Sequence, residues 1–131
     1  MTCELYILCA SVVLGLVHIV LASHAASMQR GYRWAAGPRD EALPPLTGVP
    51  GRLVRASANF FETFPLFAAL ILALQVVGAN DALSCWGAGL YLAGRVIYLP
   101  LYAFGVYLVR SLAWNVATAG LIVLLTSLLL H

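Results

Sequence analysis

Polar residues in this chain are few, and most of them punctuate long apolar runs. Four runs, Leu5 to Ala26, Leu53 to Val77, Ala82 to Ala103 and Ser111 to Leu130, are each long enough for a membrane-crossing helix, at roughly 20 residues per span. They predict four spans, at about 5–28, 52–78, 81–104 and 110–130, with one sizeable polar connection at about 29–51. Gly37-Pro38, Pro44-Pro45 and Pro50-Gly51 rule out a continuous helix through that connection. Gly78 suits the position just past the second span, and Asn80 or Asp81 suits the cap of the third. So short a turn makes these two spans antiparallel neighbours. Ser111 is the expected cap of the fourth span, which is expected to complete the packing.

The polar residues that do interrupt the runs are not scattered. At about 100° per residue, Arg52, Arg55, Asn59 and Glu62 share one narrow face of the second span, just before Pro65, which bends or loosens that turn. Tyr91, Arg95, Tyr98 and Tyr102 fall within roughly 60° of one another on the third, with Pro100 kinking its last turn. Charge at the bilayer centre costs roughly 2.5–3.5 kcal/mol on insertion scales, so ionisable residues in a span usually face the interior and mark function. Depth pairs the two stripes. With Arg55 and Tyr102 both near one boundary, Glu62 and Arg95 each lie about 10 Å deeper at 1.5 Å per residue, and the pattern predicts an ion pair between them. That pair is either a structural neutralisation or part of a polar ligand site. The surplus of donors and acceptors around it favours the site.

Composition narrows the class. The 131 residues are 63% hydrophobic and 9% charged, which places the chain among integral membrane proteins of a single domain. The opening Met1-Thr-Cys-Glu4 has no basic segment before an apolar run too long for a signal peptide, so it reads as a retained helix. Charge placement sets the orientation: Arg30, Arg33, Arg39 and Arg52 cluster after the first span and Arg110 follows the third, which puts both connections in the cytoplasm and both termini on the other side. With no lysine at all, no nucleic-acid surface is in view. Cys3, Cys9 and Cys85 have no metal-ligand spacing and are expected to be free, although Cys3 and Cys85 lie near the same face and a bridge between them is chemically possible. His18 and His24, six residues apart, do not share a helix face and are expected to pack between helices and bond a neighbour; no metal site follows from them. Ser11-x-x-x-Gly15 and Ala22-x-x-x-Ala26 permit close helix approach. Tyr32 and Trp34 suit the headgroup level, so the long connection is expected to lie as a lid across the cytoplasmic mouth.

Arg55-x-x-x-Asn59-x-x-Glu62, followed by Phe64-Pro65-Leu66-Phe67, with Arg95-Val-Ile-Tyr98-Leu-Pro-Leu-Tyr102 in the third span, resembles the MAPEG superfamily, the membrane-associated proteins in eicosanoid and glutathione metabolism. Gly37-Pro38-Arg39-Asp40 and Gly105-Val-Tyr107-Leu-Val-Arg110-Ser111 resemble its small bacterial members. The resemblance covers nearly the whole chain. It implies an all-α four-helix transmembrane bundle assembled as a homotrimer in the bacterial inner membrane, with glutathione held between adjacent subunits near the cytoplasmic face.

Carried over position by position, the resemblance implies that Arg55, Asn59 and Glu62 hold glutathione, Glu62 with Tyr98 receiving its amino group and Arg55 a carboxylate. Tyr102 matches a second tyrosine of that site, and Arg52 and Arg95 lie beside it. Arg30 and Arg33 match an arginine cluster beside the thiol. The family's thiolate-stabilising arginine falls at Val109 by an ungapped count from Tyr102, with Arg110 one residue along. Ser57 and Thr63 stand where some relatives carry glutamine and tyrosine. The implied activity is a glutathione transferase or peroxidase acting on lipophilic electrophiles or hydroperoxides from the bilayer, with Arg110 or Arg30 stabilising the thiolate and Tyr102 donating to it. Glutathione serves as cosubstrate and no metal is needed. The alternative is a non-enzymatic scaffold, or a protein binding membrane lipid or another amphiphile, which the valine at position 109 favours.

Overall fold

In a computed structural model covering residues 1–131, the chain is entirely helical outside its turns. The helices are α1 (Cys3–Arg30), α2 (Tyr32–Ala36), α3 (Gly48–Val77), α4 (Ala82–Ala103) and α5 (Tyr107–Leu129). All but α2 are long and apolar enough to cross a membrane. At 22–30 residues and 1.5 Å rise, each of the four exceeds the hydrocarbon thickness of about 30 Å.

The helix ends obey local chemistry, with three departures from expectation. Gly78 takes the left-handed conformation (φ 73°) that closes α3. Asp81 caps α4 in a reciprocal capping box with Ser84. The first departure is α5, which begins at Tyr107 and not near Ser111, because Gly105 turns the chain at φ 71° and the Val106 N–H bonds the Leu101 carbonyl at 2.8 Å. The second is α3, which starts at Gly48; Pro50 falls in its first turn, where a missing N–H costs nothing. The third is α2, a single short turn of helix inside the long connection. Gln29 anchors the far end of that connection, donating to the Thr47 carbonyl at 3.0 Å and accepting its N–H at 2.9 Å.

Packing follows small residues. A Cβ added at Gly94 would sit 2.7 Å from the Ala113 carbonyl oxygen and the Ala117 nitrogen, and one at Gly120 would sit 2.6 Å from the Gly87 oxygen and the Tyr91 nitrogen. So α4 and α5 approach backbone to backbone along a seam of Gly87, Gly94, Ala113, Ala117 and Gly120, since without a hydrophobic drive in lipid such contact must come from fit. On the other side of the bundle, Ser11 and Gly15 of α1 are buried, and the Gly15 backbone lies against Phe60 and Phe61 of α3. Two apolar clusters fill the interior, one around Phe60, Tyr98 and Leu99 and the other around Phe67, Tyr91 and Leu124.

The end that carries both termini is closed by polar contacts. The buried Glu4 carboxylate accepts from the Ser84 hydroxyl, Gln75 donates to Thr2 Oγ1 at 2.8 Å, and Ser127 donates to Asp81 at 3.3 Å, so all four long helices are tied there. Cys3 and Cys85, expected to be free, instead form a disulfide across α1 and α4 with their Cα atoms 5.7 Å apart; Glu4–Ser84 bonding beside them brings the two helix starts into register. Cys9 is free.

Two outcomes follow. Gly120→Leu should cost about 3 kcal/mol or more, because backbone cannot yield as a side chain can; an unchanged unfolding midpoint in detergent would refute the seam. The Ser84 N–H holds the Asp81 carboxyl below the usual carboxylate range. A depressed folded-state pKa gives stability that is present in full above the ordinary aspartate value of about 4 and fades as pH falls through the folded value. Asp81→Asn should therefore flatten the acid side of a midpoint-versus-pH curve, and a curve parallel to the parent's would count against the cap.

Candidate functional site

The site forms at the opposite end of the bundle, where α3, α4 and α5 bring arginines and tyrosines together. The buried stripe of α3 runs through Leu53, Ala56, Phe60 and Phe67. At about 100° per residue, Asn59 and Arg52 flank that stripe, while Arg55 and Glu62 turn away from it. Accordingly Arg52 and Asn59 are half-buried, and Arg55 and Glu62 are exposed on the outside of the protomer.

Arg52 caps the last turn of α4, its Nε donating to the Ala103 carbonyl at 2.8 Å. Arg55 Nε donates to the Tyr102 hydroxyl at 3.2 Å. The Arg110 guanidinium lies over the same Tyr102 ring, 4.7 Å from its centroid. Tyr102 thus joins two cations from two helices. It can do so because Gly105 reverses the chain between α4 and α5 and brings Arg110 inward, whereas Val109 is exposed. Arg52, Arg55, Tyr102 and Arg110 line an open pocket of about 350 Å³. Adjoining it across Arg110, a second pocket of about 280 Å³ is lined by Asn59, Tyr98, Arg110, Ser111, Trp114 and Asn115.

The expected Glu62–Arg95 ion pair does not form. Arg95 is fully buried and donates from Nη1 to Asn59 Oδ1 at 2.8 Å, with its guanidinium over Tyr98 (4.6 Å) and Phe60 (5.4 Å). Arg55 and Tyr102 do lie at one level, but Glu62 is exposed on the outside of the bundle, and Asn59 is the polar group on the inward side of the same stripe. Behind Phe60, His18 is 1% exposed and stacks on the ring at 4.8 Å. It packs between helices as expected, yet neither ring nitrogen has a bonding partner. His24 bonds the Tyr32 hydroxyl at 3.2 Å on the surface.

Arg30 and Arg33 lie apart from this group. Arg30 stacks on Trp34 at 5.3 Å, with Arg39 on the same ring at 5.8 Å, and lines a separate pocket of about 130 Å³ beside Ser23 and Ser27. Arg33 is exposed on α2. The long connection covers this α1 end and supplies no residue to the two pockets around Arg110, so within a protomer it is not a lid over them. No group of three or more His, Cys, Asp or Glu side chains is placed to hold a metal.

Ser111, Trp114 and Asn115 were not anticipated as site residues. Their signal was available: Trp114 lies four residues after Arg110 and Asn115 four after Ser111, a continuing face of one helix. Asn115 Nδ2 donates to the Ser111 carbonyl at 2.9 Å, which leaves its side-chain oxygen free at the pocket.

A family model described as MAPEG family matches residues 7–130. No curated protein matches the chain.

The buried, unpartnered nitrogens of His18 yield a prediction. His18→Phe retains the stack on Phe60 and removes two unsatisfied polar atoms, each worth about 1–3 kcal/mol when buried. The unfolding midpoint should rise; a fall would mean that the imidazole bonds an ordered internal water.

Proposed function

The chain belongs to the MAPEG family, and from that premise we propose that it is a glutathione-dependent membrane enzyme of transferase or peroxidase type. The observation that carries this reading is Tyr102 between Arg55 and Arg110. Arginine only donates, so the Tyr102 oxygen accepts from Arg55 and its own O–H proton remains free to point into the pocket. A hydroxyl donor and an uncommitted guanidinium, Arg110, together favour negative charge at one point.

That is what activation of glutathione requires. An ordinary thiol has a pKa of about 8.5 and is shifted toward thiolate by a nearby cation. Arg110 supplies the charge and Tyr102 the hydrogen bond; the thiol proton leaves to solvent, because arginine accepts none near neutral pH. The sulfur then forms a bond to an electrophilic carbon as the leaving group departs. With a hydroperoxide it attacks the distal oxygen, forming an S–O bond as the O–O bond breaks; the alkoxide leaves with a solvent proton as the alcohol, and a second glutathione converts the sulfenic acid to the disulfide and water. Arg55 addresses a carboxylate of the peptide, in the bidentate geometry arginine favours, and Glu62 with Tyr98 receives its amino group. Arg52 holds the α4 terminus beside them.

Exposed Glu62 midway along a transmembrane helix, with exposed Arg55 two turns nearer its end, supports association of copies, since charges in a span do not face lipid; the resemblance makes that assembly a homotrimer. In that assembly the site opens between copies, and Arg30 and Arg33 reach it from the α1–α2 corner of the neighbour. Arginines at one end of the bundle and a disulfide at the other support the expected orientation in an inner membrane, with the arginines cytoplasmic and both termini in the oxidising compartment. The non-enzymatic alternative leaned on Val109 at the thiolate position; Arg110 stacked on Tyr102 favours the enzyme.

Calorimetry on detergent-purified protein tests the reading. Glutathione should bind in the micromolar to millimolar range, and Arg55→Ala and Glu62→Gln should each abolish measurable binding. Arg110→Ala should retain binding but lose the ultraviolet thiolate signal of bound glutathione, with turnover of a model electrophile down on the order of 10²-fold. A parent that binds nothing, or an Arg110→Ala protein with parental thiolate signal and turnover, would overturn the proposal.

A further inference from the structure

Arg95 touches neither of the two pockets around Arg110, yet it determines what one of them can recognise. Its guanidinium is fully buried over the rings of Tyr98 and Phe60, and its one hydrogen bond, from Nη1, is to Asn59, with Nε and Nη2 unpartnered. A guanidinium has five N–H donors and no acceptor. The group that Asn59 turns toward Arg95 is therefore its carbonyl oxygen, fixed by chemistry, and the amide NH2 must face the other way. That NH2 has no partner in the protomer and belongs to a side chain lining the 280 Å³ pocket.

We infer that Arg95 is a positioning residue that locks Asn59 as a donor-only contact, so that this pocket selects a ligand presenting a carbonyl or carboxylate oxygen. Two more of the lining groups are donors, while the free Asn115 oxygen is an acceptor for another part of the same ligand. The Tyr98 hydroxyl has no bonding partner, Arg110 donates to no protein group, and both open on the same space. A free asparagine amide would accept a donor as readily as it donates, by rotating through 180°. Arg95 removes that choice. The inference rests on the glutathione reading above, and it goes further by assigning the polarity of one contact and the residue that sets it.

Asn59→Asp separates the two roles of the side chain. Aspartate keeps an oxygen on Arg95 and makes an ion pair with it, but turns a second oxygen, not an NH2, toward the ligand. Glutathione affinity measured by calorimetry should fall at least tenfold, while the unfolding midpoint stays level or rises. In an Arg95→Met background the same Asn59→Asp change should instead lower the midpoint, because the carboxylate loses its partner. Arg95→Lys, which still only donates, should retain most of the parental affinity where Arg95→Met does not.

Parental affinity in Asn59→Asp would overturn the inference while leaving the glutathione reading intact. So would a midpoint change from Asn59→Asp that is the same with and without Arg95. A parent that binds no glutathione would sink the functional reading and this inference with it.

Discussion

A polar group inside a bilayer has no water to fall back on, so one left without a partner in the protein or in an assembly of copies is costly. This constraint orders the whole molecule. Arg95 is its sharpest case, a guanidinium with no solvent exposure, one hydrogen bond and two aromatic faces. Cation–π contact is worth about 2 kcal/mol or more when desolvated, so two rings and an amide offset part of what burial costs. Thr63 with Tyr91, Ser11 with the Ile7 carbonyl and Arg52 with the Ala103 carbonyl are milder instances of the same demand. Arg55 and Glu62 are exposed on this chain, and for them the constraint is the ground for the assembly proposed above.

The two ends of the bundle meet the constraint in opposite ways. At the end with the termini, acids and hydroxyls are consumed by one another: Glu4 by Ser84, Asp81 by the start of α4, Thr2 by Gln75, with the Cys3–Cys85 bridge beside them. Little is left over to bind anything. At the other end the donors outnumber their acceptors, and Arg110, Tyr98 and the Asn59 NH2 remain free. Mutually bonded groups are concentrated at the first end and free donors at the second, with the backbone-to-backbone seam of α4 and α5 connecting them.

Much of this was legible in the residues. Apolar run lengths and the Gly78–Asp81 turn gave the helices, and the common level assumed for Arg55 and Tyr102 agrees with the bond between them. The polar face of α3 was visible as a stripe, but a helical projection has no outside. It could not tell that Asn59 and Arg52 sit at the inner edge and Glu62 at the outer, so Arg95 was matched to the nearest opposite charge and not to the amide it bonds. The disulfide was missed because pairing depends on how two helix starts are staggered, which Glu4 and Ser84 set. Trp114 and Asn115 were missed because α5 was read as packing, and its first three turns become part of the site only through the reversal at Gly105.

That reversal bears on how the family's chemistry is read from a motif. An ungapped alignment treats α4 and α5 as one ruler and leaves a valine where a cation belongs. In the folded chain the ruler is broken: α4 ends at Ala103, Gly105 turns at φ 71°, and α5 starts at Tyr107 with its own phase. A residue's direction is then set by its distance from the new helix start and not from Tyr102. Arg110, three residues after Tyr107, comes to rest over the tyrosine ring, and Val109 faces out. Position within the local element, more than position along the chain, decides which side chain can supply the charge.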